Sequence, residues 1–436
     1  MQLSVRSLSP VFLGAGKVHY AQGVQAGPWV FATGHMAQNY RDGVCPDVLA
    51  AGMPYNGLPK NQKEADLVFD HIEAVLGVAG SGLKHVARLD QYYPRPEAVD
   101  PYHIVRRRRL TGGVPASTSI LVKDLLLPNA EMDVQCIAVR PDSGLHVEHF
   151  SDPRFQGHPS SAFSAAVRAG DFVFVPGVVA SALPGEPHRN GMSTEALVVE
   201  GSLWKGCHIA LETEFCLKRK IAPSLALAGS SLANVVKAQV YLSHFEDLGP
   251  FLYTWNKVFT KDAPALTVIV IPQPGFATYS ARTEINVIAL VDNGRTKKQV
   301  IEADVPTVLA GAPAAVRAGD LLFLSGLYGV DANGLAAAAR VDPRQPFFAS
   351  SIRGQTDAIM TNAKKICAAA GTSLANVVRM QQFHTRIGEF YEAHLACREQ
   401  LPDQALPFSA VEVAPRMPVP DATLMMDLWV YVPGAP

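Results

Sequence analysis

The sequence has no excess of charge of either sign and no long apolar run. Lys plus Arg number 38 and Asp plus Glu number 39, which gives a formal net charge of −1. Such a chain has no overall field to attract nucleic acid or an anionic membrane surface, so we expect neither as a partner. Apolar stretches such as residues 172–183 fall short of the ~20 residues that cross a bilayer.

Cysteine and histidine are not spaced as metal ligands. The 6 cysteines form no CxxC pair, and the 13 histidines show neither HxH nor HExxH spacing. We therefore expect free thiols and no metal site. The N-terminus also lacks the basic-then-apolar pattern of a signal peptide. Together these absences predict a cytoplasmic protein.

An internal repeat divides the chain, whose 436 residues are about three times the ~150 residues of a typical domain. Residues 24–34 (VQAGPWVFATG) recur as 167–177 (VRAGDFVFVPG) and 316–326 (VRAGDLLFLSG). Two more markers recur in the same order, at residues 82–88, 231–237 and 373–379, and at 133–139, 284–290 and 427–432. We predict three domains, covering residues 1–142, 143–294 and 295–436.

Each repeat has the pattern of an α+β domain. An apolar strand is followed by an amphipathic helix, such as residues 64–76, and by a second strand, a second helix and two closing strands. This order predicts a mixed sheet with both helices on one face. The strands are apolar nearly throughout, so the other face must also be buried. Three such sheets can bury those faces around a threefold axis, which predicts a monomeric pseudo-trimer within one chain and leaves further oligomerisation open.

The repeated motifs resemble those of the RidA/YjgF family. The family's N-terminal motif is found in residues 20–34 and, more weakly, at Phe163 and Ala312, and its C-terminal motif is found in residues 115–120 with Asp133. The resemblance implies three chorismate-mutase-like domains with clefts between neighbours. It also implies hydrolysis of reactive enamines and imines, such as 2-aminoacrylate, to a keto acid and ammonia, without an organic cofactor.

The resemblance further implies two functional groups in each cleft. An arginine grips the substrate carboxylate, and a carboxylate at the head of the last strand activates water. The arginine position falls on Ser117, Leu266 and Phe408, so all three repeats have lost it. The position of the acid falls on the residues that we predict to be catalytic, namely Asp133, Glu284 and Asp427.

The other pocket positions are most polar in the first repeat. His35 follows Gly34 at a strand end, and a neutral histidine beside an acid is a plausible general base, so we predict it as a catalytic partner. Arg282 lies two residues before Glu284 and is a candidate replacement for the lost arginine. The predicted substrate-binding residues are Tyr20, Thr33, Gly34, His103, Ser117, Ser119, Asn256, Arg282 and His394.

A basic run, residues 106–109, lies near the end of a predicted helix, where cations are favoured. It is typical of a solvated face, and the alternative is that one of these arginines is recruited to bind an acidic substrate. The family has also been described as having ribonuclease activity. This sequence has no basic stripe interleaved with aromatic residues, so it does not favour that activity.

The sequence therefore predicts a hydrolase or deaminase acting on a small imine, enamine or related activated C–N substrate at an inter-domain cleft. Two alternatives stay open. Apolar replacements in the second and third repeats favour a non-catalytic member that binds a metabolite. A chorismatase-like lyase or hydrolase would instead need at least two arginines converging on one cleft.

Overall fold

The structure is a computed structural model that describes residues 5–15, 17–41, 43–49, 57–155, 162–199, 206–342, 344–345, 347 and 349–434. The first four residues of the predicted domain 1–142 and the last two of domain 295–436 lie outside the described residues. None of the described helices combines the length and the apolar character needed to cross a membrane.

The first sheet is formed within residues 5–139. Its order is β1-β2-β3-β7-β4-β5, in which β4 and β5 are parallel and the other neighbours are antiparallel. Helix α1 (Lys60–Val78) and helix α2 (Val99–Arg109) cover one face. The strands of this region are β1 (Val5–Leu13), β2 (Val18–Ala26), β3 (Trp29–His35), β4 (Val86–Tyr93), β5 (Ala116–Leu121), β6 (Asp124–Leu125) and β7 (Asp133–Val139).

The second sheet has the order β14-β13-β15-β10-β9-β8, with β13 and β14 parallel. Its first helix is α3 (His208–Phe215), which continues through a π-helical segment, Cys216–Ile221, into α4 (Ala222–Leu227). The second helix is α5 (Leu248–Val258). The strands are β8 (Val147–Phe150), β9 (Ala166–Ala169), β10 (Phe172–Val178), β11 (His188–Arg189), β12 (Met192–Ser193), β13 (Ser230–Leu242), β14 (Ala265–Val270) and β15 (Thr283–Val291).

The third sheet has the order β16-β17-β18-β24-β22-β23-β6, so its last strand comes from the first region of the chain. Its helices are α6 (Ser351–Ala369) and α7 (Phe390–Gln400). The strands are β16 (Lys298–Ile301), β17 (Ala315–Ala318), β18 (Leu321–Leu324), β19 (Leu327–Tyr328), β20 (Val330–Asp331), β21 (Gly334–Leu335), β22 (Val377–His384), β23 (Phe408–Glu412) and β24 (Leu424–Tyr431).

The faces of the three sheets that lack helices share one hydrophobic core. The ring of Trp29 meets that of Phe172 edge-on at 5.1 Å between centroids, and Phe323 meets Trp429 at 4.9 Å. These residues belong to β3, β10, β18 and β24, so all three sheets contribute. The nearly unbroken apolar strands predicted from the sequence are explained by this burial on both faces.

A buried polar network lies between central strands of the three sheets. Asp90 on β4 pairs with Arg88 at 2.8 Å and also with Arg379 on β22. Lys237 on β13 donates to Asp427 on β24 at 2.9 Å. Burial raises the pKa of the Asp90 carboxyl, but the two arginines outweigh that effect and hold it below its usual value. All five side chains are buried, so the network joins the sheets through ionic contacts.

Backbone hydrogen bonds cross each seam between neighbouring sheets. Ser164 N donates to Val114 O at 3.0 Å, and Gly326 N donates to Leu266 O at 3.0 Å. Across the third seam, Ala21 N donates to Leu406 O at 3.2 Å. That seam also carries the β6–β23 pairing, although no linker peptide connects the last sheet to the first.

Candidate functional site

The seam between the first and second sheets opens into a cavity of about 540 Å³. This volume lies within the usual range of small-molecule sites, which is roughly 300–1,000 Å³. One wall comes from α2 and β5, and the other comes from β10, β15 and the π-helical segment. The polar groups most relevant to chemistry here are Arg106, Ser117, Ser119, Lys220 and Glu284.

Glu284 is the acid of this cavity. It lies near the start of β15, and its side chain fits against Gly177 of β10, where an added Cβ would lie 1.9 Å from Glu284 Oε1. Gly177 N in turn donates to Thr118 Oγ1 at 3.1 Å, which fixes the glycine against the first sheet. Burial raises the pKa of Glu284 to about 8. The carboxyl is therefore mostly protonated at neutral pH and can donate a proton.

Arg106 provides a cation on the opposite wall. Its guanidinium is fully buried, donates from Nη1 to Ser117 Oγ at 2.5 Å, and lies over the Tyr102 ring at 5.7 Å from the centroid. Ser117 occupies the position where the family arginine is expected. The guanidinium therefore contacts the side chain at that strand position from helix α2.

The other arginines of the basic run stay on the surface of the helix pair. Arg108 pairs with Asp66, and Arg109 pairs with Asp70 at 2.7 Å and with Glu73 at 2.9 Å. The solvated face predicted for the run is therefore correct for Arg108 and Arg109 but wrong for Arg106. Arg106 is buried because it follows the buried Tyr102 by four residues and therefore lies on the same face of α2.

Three predicted binding residues of the first repeat reach this cavity. Ser117 Oγ and Ser119 Oγ both donate to Gln91 Oε1, at 3.0 Å and 2.8 Å. His103 also lines the cavity, and burial lowers its pKa to about 3, so the ring is neutral. Its Nε2 has no hydrogen-bond partner among the described residues.

Asp133, Gly34 and Tyr20 of the first repeat lie at the seam with the third sheet instead. Gly34 fits against Asp133 there, as Gly177 fits against Glu284. Neither oxygen of Asp133 has a hydrogen-bond partner among the described residues, and burial raises its pKa to about 8. Ser409 lies over Gly34, and the ring of Phe408 lies at 5.2 Å from that of Tyr20. Asp133 is therefore covered, and it does not line the large cavity.

The predicted pairing of His35 with an acid is wrong. Its side chain leaves β3 on the face opposite the seam, and Nε2 donates to Gln22 O at 2.9 Å. Burial lowers the pKa of His35 to about 3, so it is a neutral residue of the domain interior. Thr33 donates to Ala21 O at 2.9 Å within the sheet, and Tyr20 OH accepts from Gln38 Nε2 at 3.2 Å.

The prediction that Asp427 occupies the repeat position of Asp133 is wrong by two residues. Asp133 lies opposite Tyr92 in the strand register, and Glu284 lies opposite Tyr241. The matching position opposite Phe383 holds Met425. Asp427 instead belongs to the buried network, where Lys237 and the Gln239 amide, at 2.8 Å, bind its carboxylate.

Three other predicted binding residues are engaged elsewhere. The position in α5 that matches His103 is occupied by Leu252, and Asn256 lies one helical turn later. The Nδ2 atom of Asn256 donates to Ala310 O at 3.0 Å. Arg282 pairs with Asp247 through two bonds of 2.7 Å and 2.9 Å and does not line the cavity, so it does not replace the lost arginine. His394 is buried against Phe408 and accepts from His19 N at 3.3 Å.

Lys220 lines the cavity although no sequence motif marks it. It lies in the π-helical segment Cys216–Ile221, and Nζ donates to Ser181 Oγ at 3.3 Å. Burial lowers the pKa of its ammonium group. A π-helical bulge re-aims one turn of side chains without a clear sequence pattern, so periodicity alone could not place this lysine.

The chain is similar to known proteins in its family motifs and in its structure. The family model described as endoribonuclease L-PSP matches residues 156–291 and 306–432. A comparison with curated proteins found no match. Similar solved structures are yeast Mmf1 (21% identity, 33% of this chain and 98% of that chain, TM-score 0.26), a putative endoribonuclease from Thermotoga maritima (23%, 32% and 100%, 0.27) and Escherichia coli TdcF with bound serine (21%, 31% and 98%, 0.26).

Proposed function

Because the chain belongs to the endoribonuclease L-PSP family, which is the RidA/YjgF family, we propose that it hydrolyses small imines or enamines in the cavity between its first and second sheets. The observation that carries this proposal is the cavity itself, where a protonated Glu284 and the Arg106 guanidinium line opposite walls. Family membership gives the class of reaction, and these two side chains supply the groups that the reaction needs.

The chemistry follows from the charge of each group. Arg106 binds a carboxylate on the substrate, as a guanidinium does well in a buried site. Glu284 donates its proton to the imine nitrogen, and a water molecule adds to the carbon. The resulting Glu284 carboxylate accepts the proton that the water loses. Glu284, protonated again, then donates to the carbinolamine nitrogen, the C–N bond breaks to release ammonia, and the Glu284 carboxylate accepts the hydroxyl proton as the carbonyl product forms.

The same proposal includes the organisation of the chain. We propose three RidA-like domains, at residues 1–142, 143–294 and 295–436, that form an intramolecular pseudo-trimer. The hydrophobic core shared by the three sheets and the matched glycine–side-chain contacts at Gly34, Gly177 and Gly326 support it. The first of these domains lies outside both segments that the family model matches, and the internal repeat is what includes it.

The chorismatase-like alternative is less well supported by the cavity. Arg106 and Arg154 both line it, but Arg154 is bound to Asp152 by bonds of 2.6 Å and 3.1 Å and its side chain is 68% exposed. A substrate with two carboxylates would have to displace that pair. Turnover of chorismate by the purified chain is the assay that would favour this alternative over imine hydrolysis.

The pH dependence of turnover tests the proposed role of Glu284. The proton donor is present below its pKa of about 8 and is lost as the pH rises through that value. We expect kcat/KM for ammonia release from imines generated in the assay to be level at neutral pH and to fall above about pH 8. Asp133→Asn should keep the same profile, because Asp133 does not line the cavity. A rate that rises above pH 8 would contradict a protonated Glu284.

A pair of glycine substitutions tests the position of the carboxyl. In Gly177→Ala the new Cβ would meet Glu284 Oε1 at 1.9 Å, so the side chain must rotate away. A displacement of about 1 Å can cost ~10²-fold in rate, and we expect kcat/KM for ammonia release to fall accordingly. Gly326→Ala is the matched control, since its Cβ would lie 3.3 Å from Met425 Sδ at another seam. Equal kcat/KM values for Gly177→Ala and Gly326→Ala would mean that the reaction does not take place beside Glu284.

A further inference from the structure

The second domain differs from its neighbours by one residue in its first long helix. Three side chains of these helices are equivalent, because each accepts a hydrogen bond from the backbone two residues before the site position: Glu64 from Glu131 N, Glu212 from Arg282 N and Gln355 from Thr423 N. One residue more separates Glu212 from Gly229 than separates Glu64 from Gly80 or Gln355 from Gly371.

The extra residue is absorbed by the π-helical segment Cys216–Ile221. Counted back from the glycine that follows each helix, Lys220 occupies the position of His71 in the first domain and of Asn362 in the third. Asn362 donates to Val330 O at 3.2 Å, so in that copy the position serves the backbone. In the second domain the same position puts a primary amine into the wall of the cavity that contains Glu284.

The surroundings of Lys220 suit a reactive amine better than a structural ion pair. Its residue is only 8% exposed, and the hydrogen bond of Nζ is to the neutral hydroxyl of Ser181. The nearby carboxylate of Glu186 is bound by Arg219. Burial lowers the pKa of the Lys220 ammonium, although Cys216 and Glu186 oppose the shift. A desolvated lysine of this kind is the usual nucleophile of Schiff-base catalysis.

We propose that Lys220 is a nucleophile that forms a covalent imine with 2-oxo-acid-derived substrates in this cavity. The proposal rests on the proposed function, in which it replaces the direct attack of water on the substrate imine by attack of the lysine amine, so that water acts only on the lysine imine. The Lys220 amine adds to the carbon of a 2-imino acid, and the C–N bond to the original nitrogen breaks, releasing ammonia. Water then adds to the lysine imine, and cleavage returns the free amine and the 2-oxo acid. Glu284 transfers the protons in both steps.

The residues already described define the substrate. Arg106 binds the carboxylate next to the reacting carbon, and Ser117 and Ser119 give the same end of the cavity hydroxyl groups. The cavity of about 540 Å³ is larger than a three-carbon acid requires, so 2-oxo acids with a longer side chain also fit. The class is therefore 2-imino and 2-oxo acids with one carboxylate at the reacting end.

Borohydride trapping tests the covalent step. The full chain is incubated with pyruvate or 2-oxobutanoate, reduced with sodium borohydride, and analysed by intact mass and peptide mapping. We expect one reduced adduct per chain, located on Lys220. Lys218→Met is the matched control, because Lys218 is exposed on the same helical segment and pairs with Glu214 at 3.0 Å. This variant should still form the adduct, and Lys220→Met should not. An adduct level that Lys220→Met leaves unchanged overturns the proposal.

A rate comparison separates a nucleophile from a mere cation. Lys220→Arg keeps the positive charge but cannot form the imine, so we expect it to lose ammonia release to the same extent as Lys220→Met. Full activity in Lys220→Arg would mean that the reaction needs only the positive charge of this side chain, and it would overturn the proposal. If the unaltered chain forms the adduct but releases no ammonia from any imine, the proposed function fails while the reactive amine stands. If the chain releases ammonia but forms no adduct, the proposed function stands and the role of Lys220 as a nucleophile is overturned.

Discussion

Glu284→Gln is expected to lower kcat/KM for ammonia release from a carboxylate-bearing imine by about 10²- to 10⁴-fold, the usual contribution of a positioned acid–base group. Glutamine keeps the size of the side chain and its fit against Gly177, but it cannot give up a proton to the imine nitrogen. The variant should bind the substrate nearly as well, so the loss should fall on kcat. The measurement is steady-state ammonia release over a panel of imines with and without a carboxylate.

Asp133→Asn is the matched control for that measurement. Burial raises the pKa of both carboxyls to about 8, but Asp133 lies at a seam covered by Phe408 and Ser409. We expect Asp133→Asn to retain most of the activity. Full turnover by Glu284→Gln would remove the mechanism proposed here, and a loss confined to Asp133→Asn would move the site to the seam with the third sheet.

Asp90→Ala is expected to lower the free energy of unfolding by about 3–5 kcal/mol, the cost of removing one partner from a buried ion pair. The alanine would leave both Arg88 and Arg379 without the carboxylate that holds them between the sheets. Urea denaturation followed by tryptophan fluorescence is the appropriate measurement, because Trp29 and Trp429 lie in the core shared by all three sheets.

Asp66→Ala provides the comparison for this stability measurement. Asp66 pairs with Arg108, whose side chain is half exposed, and such pairs contribute about 0–1 kcal/mol. A similar small loss in Asp90→Ala would mean that the buried network contributes little to joining the sheets. Asp90→Ala could lose much stability while the protein that stays folded keeps its pH profile of ammonia release near neutral pH. The network would then be structural and separate from the chemistry of the cavity.

The fold could be predicted in detail because local patterns determine it. The amphipathic helix predicted at residues 64–76 lies within α1, and the strand, helix, strand, helix order predicted for each repeat is the order found. The family resemblance is confirmed, and so is the α+β fold class. Alternation and helical periodicity record which residues are buried, and burial is what forms these elements.

The site could be predicted only in part, for reasons that differ from residue to residue. Glu284 was found because it lies at the head of a strand that recurs. Asp427 was misplaced because a slip of two residues leaves a side chain on the same face of a strand, so alternation cannot detect it. Arg106 could not be distinguished from its neighbours, because it is one of four consecutive arginines. Lys220 could not be found, because the position that it takes depends on an inserted residue within a helix.

The hydrogen bonds across the three seams do not depend on which domains are joined by a linker. Ala21 and Leu406 are joined across the seam without a linker by the same kind of backbone bond that joins Ser164 to Val114 at a seam that has one. In the proposed pseudo-trimer the contacts therefore close into a ring through a seam that no linker spans. A circular permutation that opened the ring at either linker would keep every one of these interfaces.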